Sequence, residues 1–398
     1  MRKFFFITLL SIFSIYPSLA GLSAVELSGY VELEGRVFFN DALYQDQKRD
    51  SASIAFQPEF YHEWSDGSSF TFTPFARFDS ADPERTHQDI RELNFLWLHD
   101  GWELRAGIGK VFWGVTEFLH LVDIINQTDL VEDIDTEDKL GQPMLNLSVT
   151  GKAGTLDLFV LPYFRDRTFP GRKGRFRTPI PVDTKNDVYE SAAEEYHIDL
   201  AVRYSHTMGD WDFGIYYFDG TGREPVLRLM TDSSGKLSII PFYEQIHQTG
   251  LDVQVVKGNW LFKLEAIYRD AFEENFFAGV GGFEYTFINM AASGIDLGLI
   301  GEWAYDERGQ EFESAFDNDL MLGTRLAFND AASTEVLIGY IEDLDSDGSV
   351  FTLESSRRLG NNWKINLDAF IVFDSSEEDA FYFVRDDDSV QLEIQYFF

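Results

Sequence analysis

Apolar and polar residues alternate along short stretches of almost the whole chain, and this two-residue period constrains the fold more than any other feature. At 389–398, five apolar residues alternate with mostly polar neighbours: Val390, Leu392, Ile394, Tyr396 and Phe398. Successive side chains of a strand point to opposite faces, so such a stretch predicts a β-strand with one apolar face. Similar stretches begin at Val25 and recur to the end of the sequence, which predicts an all-β fold.

The apolar faces of these predicted strands carry no charged residue. At 260–268, 295–305 and 363–373 every second residue is apolar or glycine, whereas the residues between them include lysine, aspartate and glutamate. A charge that faces lipid costs about 2–4 kcal/mol at the bilayer midplane, so its absence from these faces is informative. A secreted β-solenoid or β-sandwich would also alternate, but the charge-free faces favour a transmembrane antiparallel β-barrel.

Short and long connections alternate between the predicted strands. The long ones are 40–50, 80–88, 112–142, 165–194, 220–246, 270–275, 306–316, 344–348 and 375–387. Outer-membrane barrels have this arrangement of short periplasmic turns and long external loops. The count is about eighteen strands, or about sixteen if the least regular stretches, 89–99 and 143–150, are merged. We also predict that 225–231 and 236–244 extend one hairpin above the membrane.

Tryptophan positions give an independent indication of a barrel. Five of the eight tryptophans lie beside predicted short turns: Trp64, Trp102, Trp211, Trp260 and Trp363. Barrels concentrate such residues in an aromatic girdle at a membrane boundary. The clustering therefore predicts that the short turns share one rim.

The first twenty residues have the composition of a secretory signal peptide. Arg2 and Lys3 precede an apolar run at 4–16, and the small residues Ser18 and Ala20 precede a cleavage site before Gly21. This predicts a signal peptide at 1–20 and a single barrel at 21–398. The sequence contains no cysteine, which excludes disulfides, thiol-linked lipid anchors and thiolate metal sites.

The final strand is similar to the C-terminal signal of bacterial outer-membrane barrels. Tyr396 and Phe398 carry this resemblance. It implies recognition by the barrel-assembly machinery, contact with outer-membrane lipid and lipopolysaccharide in a Gram-negative cell, and pairing of the last strand with the first.

The chain is strongly acidic, with 32 basic and 68 acidic residues and a formal charge of −36. Removal of Arg2 and Lys3 with the signal peptide makes it more negative still. Nucleic-acid binding is therefore not expected. A mostly acidic lumen, which would favour cations if open, is predicted from five strand residues: Glu26, Glu103, Asp199, Asp252 and Asp296.

The stretch 112–142 is the most prominent interruption of the strand pattern, and it is too apolar for a freely solvated loop. We expect it to fold inward and constrict the lumen, or to cap the mouth as a lid without solute contact. The candidate pore residues are Trp113, Gly114, Glu117, Asp123, Asn126 and Asp129.

Residues 102–145 resemble a proteobacterial outer-membrane β-barrel family of undefined function. The resemblance rests on a strand that ends in Gly109-Lys110, then Trp113-Gly114, then an Ile-Asn run that is followed by Asp129. This sequence departs from the family pattern with Val115 where glutamate is usual and Gln127 where proline is usual. The family is often linked to export of lipids or hydrophobic compounds, so the resemblance implies a small-molecule or lipid cargo.

A basic cluster stands out in the long connection at 165–194. Its members are Arg165, Arg167, Arg172, Lys173, Arg175 and Arg177, with Lys185 farther along. Arginine binds phosphate in a bidentate fashion, so the cluster could hold anionic solutes or lipopolysaccharide phosphates. Equally, it could neutralise lumenal acids such as Glu32, Glu34 and Glu302.

Residues 343–354 match the acidic pattern of a calcium-binding loop. Its carboxylates would be Asp343, Asp345 and Asp347, and Glu354 would complete the ligand set. The flanking residues read as strands where such a loop needs helices. The alternative, which the strands favour, is an acidic hairpin tip that binds no metal.

The sequence supports three functional hypotheses. The first is a porin-like channel for small or amphipathic solutes, constricted by 112–142; the second is a plugged binding or structural barrel. A surface hydrolase is the third, but the seven histidines show no catalytic spacing, so no enzyme activity and no cofactor other than a possible Ca²⁺ is expected.

Overall fold

The chain was analysed as a computed structural model, which describes residues 25–231, 235, 237–271, 275–309, 316–377 and 379–398. The predicted signal peptide lies outside the described residues. Within them, no helix has both the length and the apolar character that a membrane-spanning helix requires.

The described residues form the following strands: β1 (Glu26–Phe38), β2 (Asp50–Glu63), β3 (Ser69–Asp79), β4 (His87–His99), β5 (Trp102–Gly109), β6 (Gln142–Gly151), β7 (Gly154–Leu161), β8 (Val188–Tyr189), β9 (Asp199–Met208), β10 (Trp211–Thr221), β11 (Val226–Thr231), β12 (Leu237–Tyr243), β13 (Gln245–Lys257), β14 (Trp260–Asp270), β15 (Asn275–Phe287), β16 (Asp296–Asp306), β17 (Asn318–Ala327), β18 (Glu335–Asp343), β19 (Ser349–Leu359), β20 (Trp363–Asp374) and β21 (Ser389–Phe397). Three short 3₁₀ turns lie at Glu194–Tyr196, Met290–Ala292 and Ala380–Val384.

Eighteen of these strands form one antiparallel sheet that closes on itself. Each strand pairs with its neighbour in sequence, and β1 pairs with β21 from Tyr30 opposite Phe397 to Phe38 opposite Ser389. The predicted all-β, 18-stranded barrel is therefore confirmed. The two least regular stretches are separate strands, β4 and β6, so the alternative count of sixteen is wrong.

The remaining three strands form a small sheet of their own. β11 and β12 make the predicted hairpin, but β12 also pairs in parallel with β8. β11 and β12, which are the described parts of the predicted extension, therefore do not simply lengthen barrel strands β10 and β13. They belong to a separate sheet among the long loops.

The two faces of the barrel differ as the alternation predicts. In β1, Leu33 and Val37 are about half exposed on the outer surface, whereas Glu32 and Glu34 point inward and are buried. The outer apolar side chains thus have no protein partner to cover them, which is the arrangement of a lipid-facing surface.

All five turn-flanking tryptophans are exposed and lie at the same end of the barrel, beside the short connections. We call this rim the short-turn end and the opposite rim the long-loop end. An aromatic girdle at one rim is the arrangement predicted above.

Candidate functional site

Residues 112–142 cross the lumen between β5 and β6, and we call them the inner segment. Its first part packs in two apolar clusters. Trp113, Val122, Ile124 and Ile125 contact the inner faces of β6, β7, β9, β10 and β13–β15. Phe118, Leu119 and Leu121 contact inward side chains of β15–β20. The segment therefore lies inside the barrel, against its wall.

Glu265 on β14 is the strongest anchor of the inner segment. Its carboxylate is fully buried and accepts hydrogen bonds from the backbone N–H groups of Val115 (2.6 Å), Thr116 (3.0 Å) and Val122 (3.2 Å). The Thr116 hydroxyl donates a fourth bond at 2.7 Å. A single carboxylate thus satisfies donors of a non-helical, non-strand segment that would otherwise be buried without partners.

Glu302 on β16 is a second anchor. It accepts hydrogen bonds from the backbone N–H groups of Glu117 (2.9 Å) and Phe118 (3.2 Å). The Glu117 side chain in turn binds Lys263 at 3.2 Å and Arg325 at 2.6 Å. Burial alone would raise the pKa of Glu117, but Arg325 and Lys263 together hold this pKa below its usual value.

The Trp113-Gly114 pair is held by one carboxylate of the inner segment. Asp123 accepts hydrogen bonds from both backbone N–H groups, at 2.5 and 3.0 Å. A Cβ on Gly114 would lie 2.5 Å from Nδ1 of His120, so this approach requires glycine. The buried Trp113 ring contacts Phe159 and Tyr216, which makes it a packing residue of the wall.

Phe118 fits against two glycines of the barrel wall. Gly323 on β17 and Gly339 on β18 face each other across the strand pair. A Cβ on either glycine would lie 3.1 or 2.8 Å from the Phe118 ring. The absence of two side chains thus forms the socket for this aromatic ring.

Asn126 and Asp129 hold the second part of the inner segment. Asn126 accepts a bond from the Val111 N–H and donates to the Gly109 and Leu140 carbonyls, all at 2.8 Å. Asp129 binds Arg91 at 2.7 Å and the Thr168 hydroxyl at 2.7 Å. Burial would raise the pKa of Asp129, but His87 and Arg91 hold it well below its usual value.

A buried ion-pair network continues from this point to the barrel wall. Arg77 on β3 contacts Glu32 (2.9 Å), Glu34 (2.8 Å) and, in the inner segment, Glu132 (2.7 Å). Arg85 donates hydrogen bonds to both carboxylate oxygens of Glu34, each at 2.6 Å. The charges of Glu32 and Glu34 are therefore neutralised by these two arginines, and that of Glu302 is stabilised by inner-segment N–H groups.

A cavity of about 1010 Å³ remains beside the inner segment. It follows the inner faces of β18–β21, from Glu335 and Lys364 near the short-turn end to Asp379 and Phe381 at the long-loop end. Of the candidate pore residues, Glu117, Asp123 and Asn126 line it. Trp113 and Asp129 are instead buried in the supports of the inner segment.

The cavity has chemically distinct sides. Carboxylates line the strand side at Glu354, Asp368 and Glu393, and the inner segment adds Asp133, Asp135, Glu137 and Asp138. Arginines concentrate on another side, where Arg269 and Arg308 approach Glu224 at 3.0 and 3.5 Å. Phe118, Phe370 and Phe381 supply apolar surface between them. Both charge and apolar surface can thus contact a solute.

Asp138 provides a pH-dependent prediction. Burial, together with the neighbouring charge of Glu132, raises its carboxyl pKa from 3.8 to about 6. Between these values the folded protein holds a proton that the unfolded chain releases, so this group makes folding less favourable as the pH rises. We expect Asp138→Asn to raise the unfolding temperature well above pH 6 and to leave it unchanged below pH 3.8, as measured by circular dichroism. A stabilisation confined to low pH would contradict this.

The basic cluster is mostly engaged within the long loops. Arg165 pairs with Asp89 at 2.8 Å, and Arg175 pairs with Asp387 at 2.5 Å. Arg177 donates to the carbonyls of Thr178, Pro179 and Gln45, and Arg167 donates to the side chain of Gln127. These arginines therefore do not reach Glu32, Glu34 or Glu302. Arg172 and Lys173 are the exposed members, so binding of lipopolysaccharide phosphates, which stays a prediction, falls mainly to them.

The four residues of the calcium-loop pattern are not brought together. Asp343 closes the turn by accepting bonds from the N–H groups of Asp345 (2.8 Å) and Ser346 (3.1 Å). Glu354 faces Leu337 well inside β19, whereas the turn lies beyond Ser349. Five residues of strand place Glu354 about 17 Å farther along the barrel, where it lines the cavity.

Two other groups of residues that could ligate a metal do converge to within 4.8 Å among the described residues. They are Glu32, Glu34 and Glu393, and His87, Asp129 and Glu132. Arg77, Arg85 and Arg91 already bind both groups, so bound cations would compete with fixed guanidinium charges.

Proteins of known structure with a similar arrangement include variants of the porin of Rhodopseudomonas blastica. A triple mutant of that porin covers 94% of this chain and 100% of its own, with 12% identity and a TM-score of 0.45. A second variant of that porin has 12% identity and a TM-score of 0.46. A structure described as "Asymmetric conductivity of engineered proteins" has 13% identity and a TM-score of 0.44. No protein-family model and no curated protein sequence matches the chain. At such identities the similarity concerns the barrel fold alone.

Proposed function

We propose that the protein is a porin-like channel of the outer membrane, which passes small or amphipathic solutes through a lumen narrowed by the inner segment. The observation that carries this proposal is the cavity along β18–β21, which extends from one rim of the barrel toward the other. A barrel of this size encloses a water-filled channel unless it is plugged. Transport, with no enzyme activity, is what this arrangement supports best.

The chemistry of the cavity supports a preference for cations and amphipathic solutes. More carboxylates than basic side chains line it, and Glu354, Asp368 and Glu393 stand along its strand side. Rows of one charge sign in a narrow passage concentrate ions of the opposite sign. A lipid or hydrophobic cargo, as the resemblance of residues 102–145 implies, would use the phenylalanines.

Ion selectivity in planar bilayers tests this proposal. We expect the wild type to conduct with cation selectivity, and the triple variant Glu354→Gln, Asp368→Asn, Glu393→Gln to lose most of that selectivity, because fixed charges of the passage set it. A matched triple variant at exposed positions outside the cavity, Asp41→Asn, Asp100→Asn, Asp210→Asn, should keep it.

A plugged structural or binding barrel is the second candidate, which the many hydrogen bonds of the inner segment favour. If neither the wild type nor a variant whose inner segment is released conducts ions, that result would support the plugged barrel and contradict the channel. In either case we propose export by a signal peptide, assembly through the strand that ends in Tyr396 and Phe398, and contact with outer-membrane lipid and lipopolysaccharide.

A further inference from the structure

Four buried aspartates lie near one another at the long-loop end of β17 and β18. They are Asp317, Asp319, Asp343 and Asp379, with side chains between 3% and 9% exposed. Asp319 and Asp343 occupy directly opposite positions of the two strands. Like charges at such positions destabilise a sheet, and a buried carboxylate without a partner is costlier still.

The part of the chain that the structure describes supplies no counter-charge to this group. None of its lysines, arginines or histidines forms an ion pair with the four aspartates. The neighbouring positions 310–315 and 378, which lie outside the description, contain no lysine or arginine in the sequence. The aspartate group therefore differs from the carboxylates around Arg77, which are neutralised by arginines.

Asp319 is the member whose surroundings point most clearly to a cation ligand. The residue is only 3% exposed, and its Oδ2 atom is shielded from solvent and accepts no hydrogen bond. The charged groups that act most strongly on it are Asp343, Asp317 and Asp379, and all three are acidic. A buried carboxylate oxygen in such surroundings is usually compensated by a cation or by a hydrogen-bond donor.

The turn at 344–348 and the last long loop are already held against each other here. The Ser346 hydroxyl lies 2.6 Å from Asp343 and 2.9 Å from Asp379. A Cβ on Gly348 would lie 2.1 Å from the Asp379 carboxylate, so only glycine permits this approach. Burial, followed by the charge of Asp343, raises the pKa of both Asp317 and Asp379 above the usual value.

We propose that Asp317, Asp319, Asp343 and Asp379 bind a divalent cation, Ca²⁺, that joins β17, the turn 344–348 and the last long loop at the mouth of the barrel. Carboxylate, hydroxyl and carbonyl oxygens are its preferred ligands, and Ca²⁺ accepts six to eight of them in flexible geometry. The four carboxylates are spaced more widely than the converging groups described above, so binding draws the three elements together. This site uses Asp343 of the sequence pattern, with Asp317, Asp319 and Asp379 in place of Asp345, Asp347 and Glu354.

Thermal unfolding in detergent tests the site independently of any transport activity. The barrel is refolded from inclusion bodies, so that no lipopolysaccharide is carried over, and stripped with EDTA before CaCl₂ is added. We expect the wild-type unfolding temperature to rise with Ca²⁺ and to level off, because the ion binds only the folded state. Direct titration calorimetry of the stripped wild type with CaCl₂ should show saturable binding.

The variant Asp319→Asn distinguishes a cation-binding site from a cluster of aspartates that binds no ion. In EDTA this variant should unfold at a higher temperature than the wild type because one repelling charge is gone, and the addition of Ca²⁺ should no longer raise this temperature. Asp343→Asn is the second variant, and Asp41→Asn at an exposed loop position is the control that should respond like the wild type. An unchanged wild-type unfolding temperature, an equal rise with NaCl at matched ionic strength, or an undiminished response in Asp319→Asn would overturn the proposal.

Discussion

Replacement of Glu265 by leucine is expected to release the inner segment and to increase the single-channel conductance, with frequent current fluctuations. The replacement removes an acceptor that receives four hydrogen bonds from residues 115–122. Bonds to a charged group contribute about 1.5–3 kcal/mol each, and each donor left buried without a partner costs about 1–3 kcal/mol. Residues 115–122 are then held by the packing of Trp113 and Phe118, by the bonds of Glu302 to the N–H groups of residues 117 and 118, and by the ion pairs of Glu117.

Glu265→Gln provides a graded comparison, because the amide keeps one acceptor oxygen but presents an NH₂ group to backbone donors. We expect an intermediate conductance for it. Glu103→Gln is the control, since Glu103 is a partly exposed strand carboxylate whose nearest cation, on Arg105, lies 4.0 Å away. A correctly folded Glu265→Leu barrel with wild-type conductance and wild-type noise would contradict the role of the inner segment as a constriction.

Arg77→Met is expected to be the most destabilising of the simple charge removals. It leaves Glu32, Glu34 and Glu132 with one fewer cation in a buried setting. Removal of one partner of a buried ion pair costs about 3–5 kcal/mol, because the charge that remains has no compensation. We expect the free energy of unfolding in urea, followed by tryptophan fluorescence, to fall by at least this amount.

Two further variants determine whether the loss reflects the network. Arg172→Met removes an arginine that is 62% exposed and lies 3.4 Å from Asp46, so we expect a change within about 1 kcal/mol. Arg77→Met combined with Glu132→Gln should recover part of the loss, because one uncompensated carboxylate is removed. If Arg77→Met were as stable as Arg172→Met, the ion-pair network would contribute little to folding.

The barrel is predictable from the sequence because lipid imposes one rule on every strand. Each outer position must be apolar, and residues such as Leu33 and Trp363 follow that rule wherever they occur. The apolar stretch 112–142 likewise indicated its own burial. Its partners were not identified, because Glu265 and Glu302 look like any other polar-face acid. They contact residues near 117 across 149 and 185 residues of sequence, so no local pattern pairs them.

The acidic pattern at 343–354 shows where a sequence pattern fails to predict a site. Its spacing assumes a compact loop, but β19 is extended and carries Glu354 away from the turn. Asp319 and Asp379, which the fold brings to Asp343 instead, come from another strand and another loop. Gly323 and Gly339 were likewise unremarkable in sequence, since a socket for Phe118 requires two strands side by side. A sign of such pairs would be glycine on the polar face of adjacent strands, where side chains usually fill space.

The pairing of β1 with β21 also has a consequence for the assembly of the barrel. Strands surround the inner segment on every side and bind it through Glu265, Glu302 and Arg77. Once β1 and β21 have paired, the sheet has no open edge through which a bulky segment could enter the interior. We therefore expect residues 112–142 to occupy the interior while the sheet is still an open arc, so that the wall closes around the inner segment and the seam between β1 and β21 forms last.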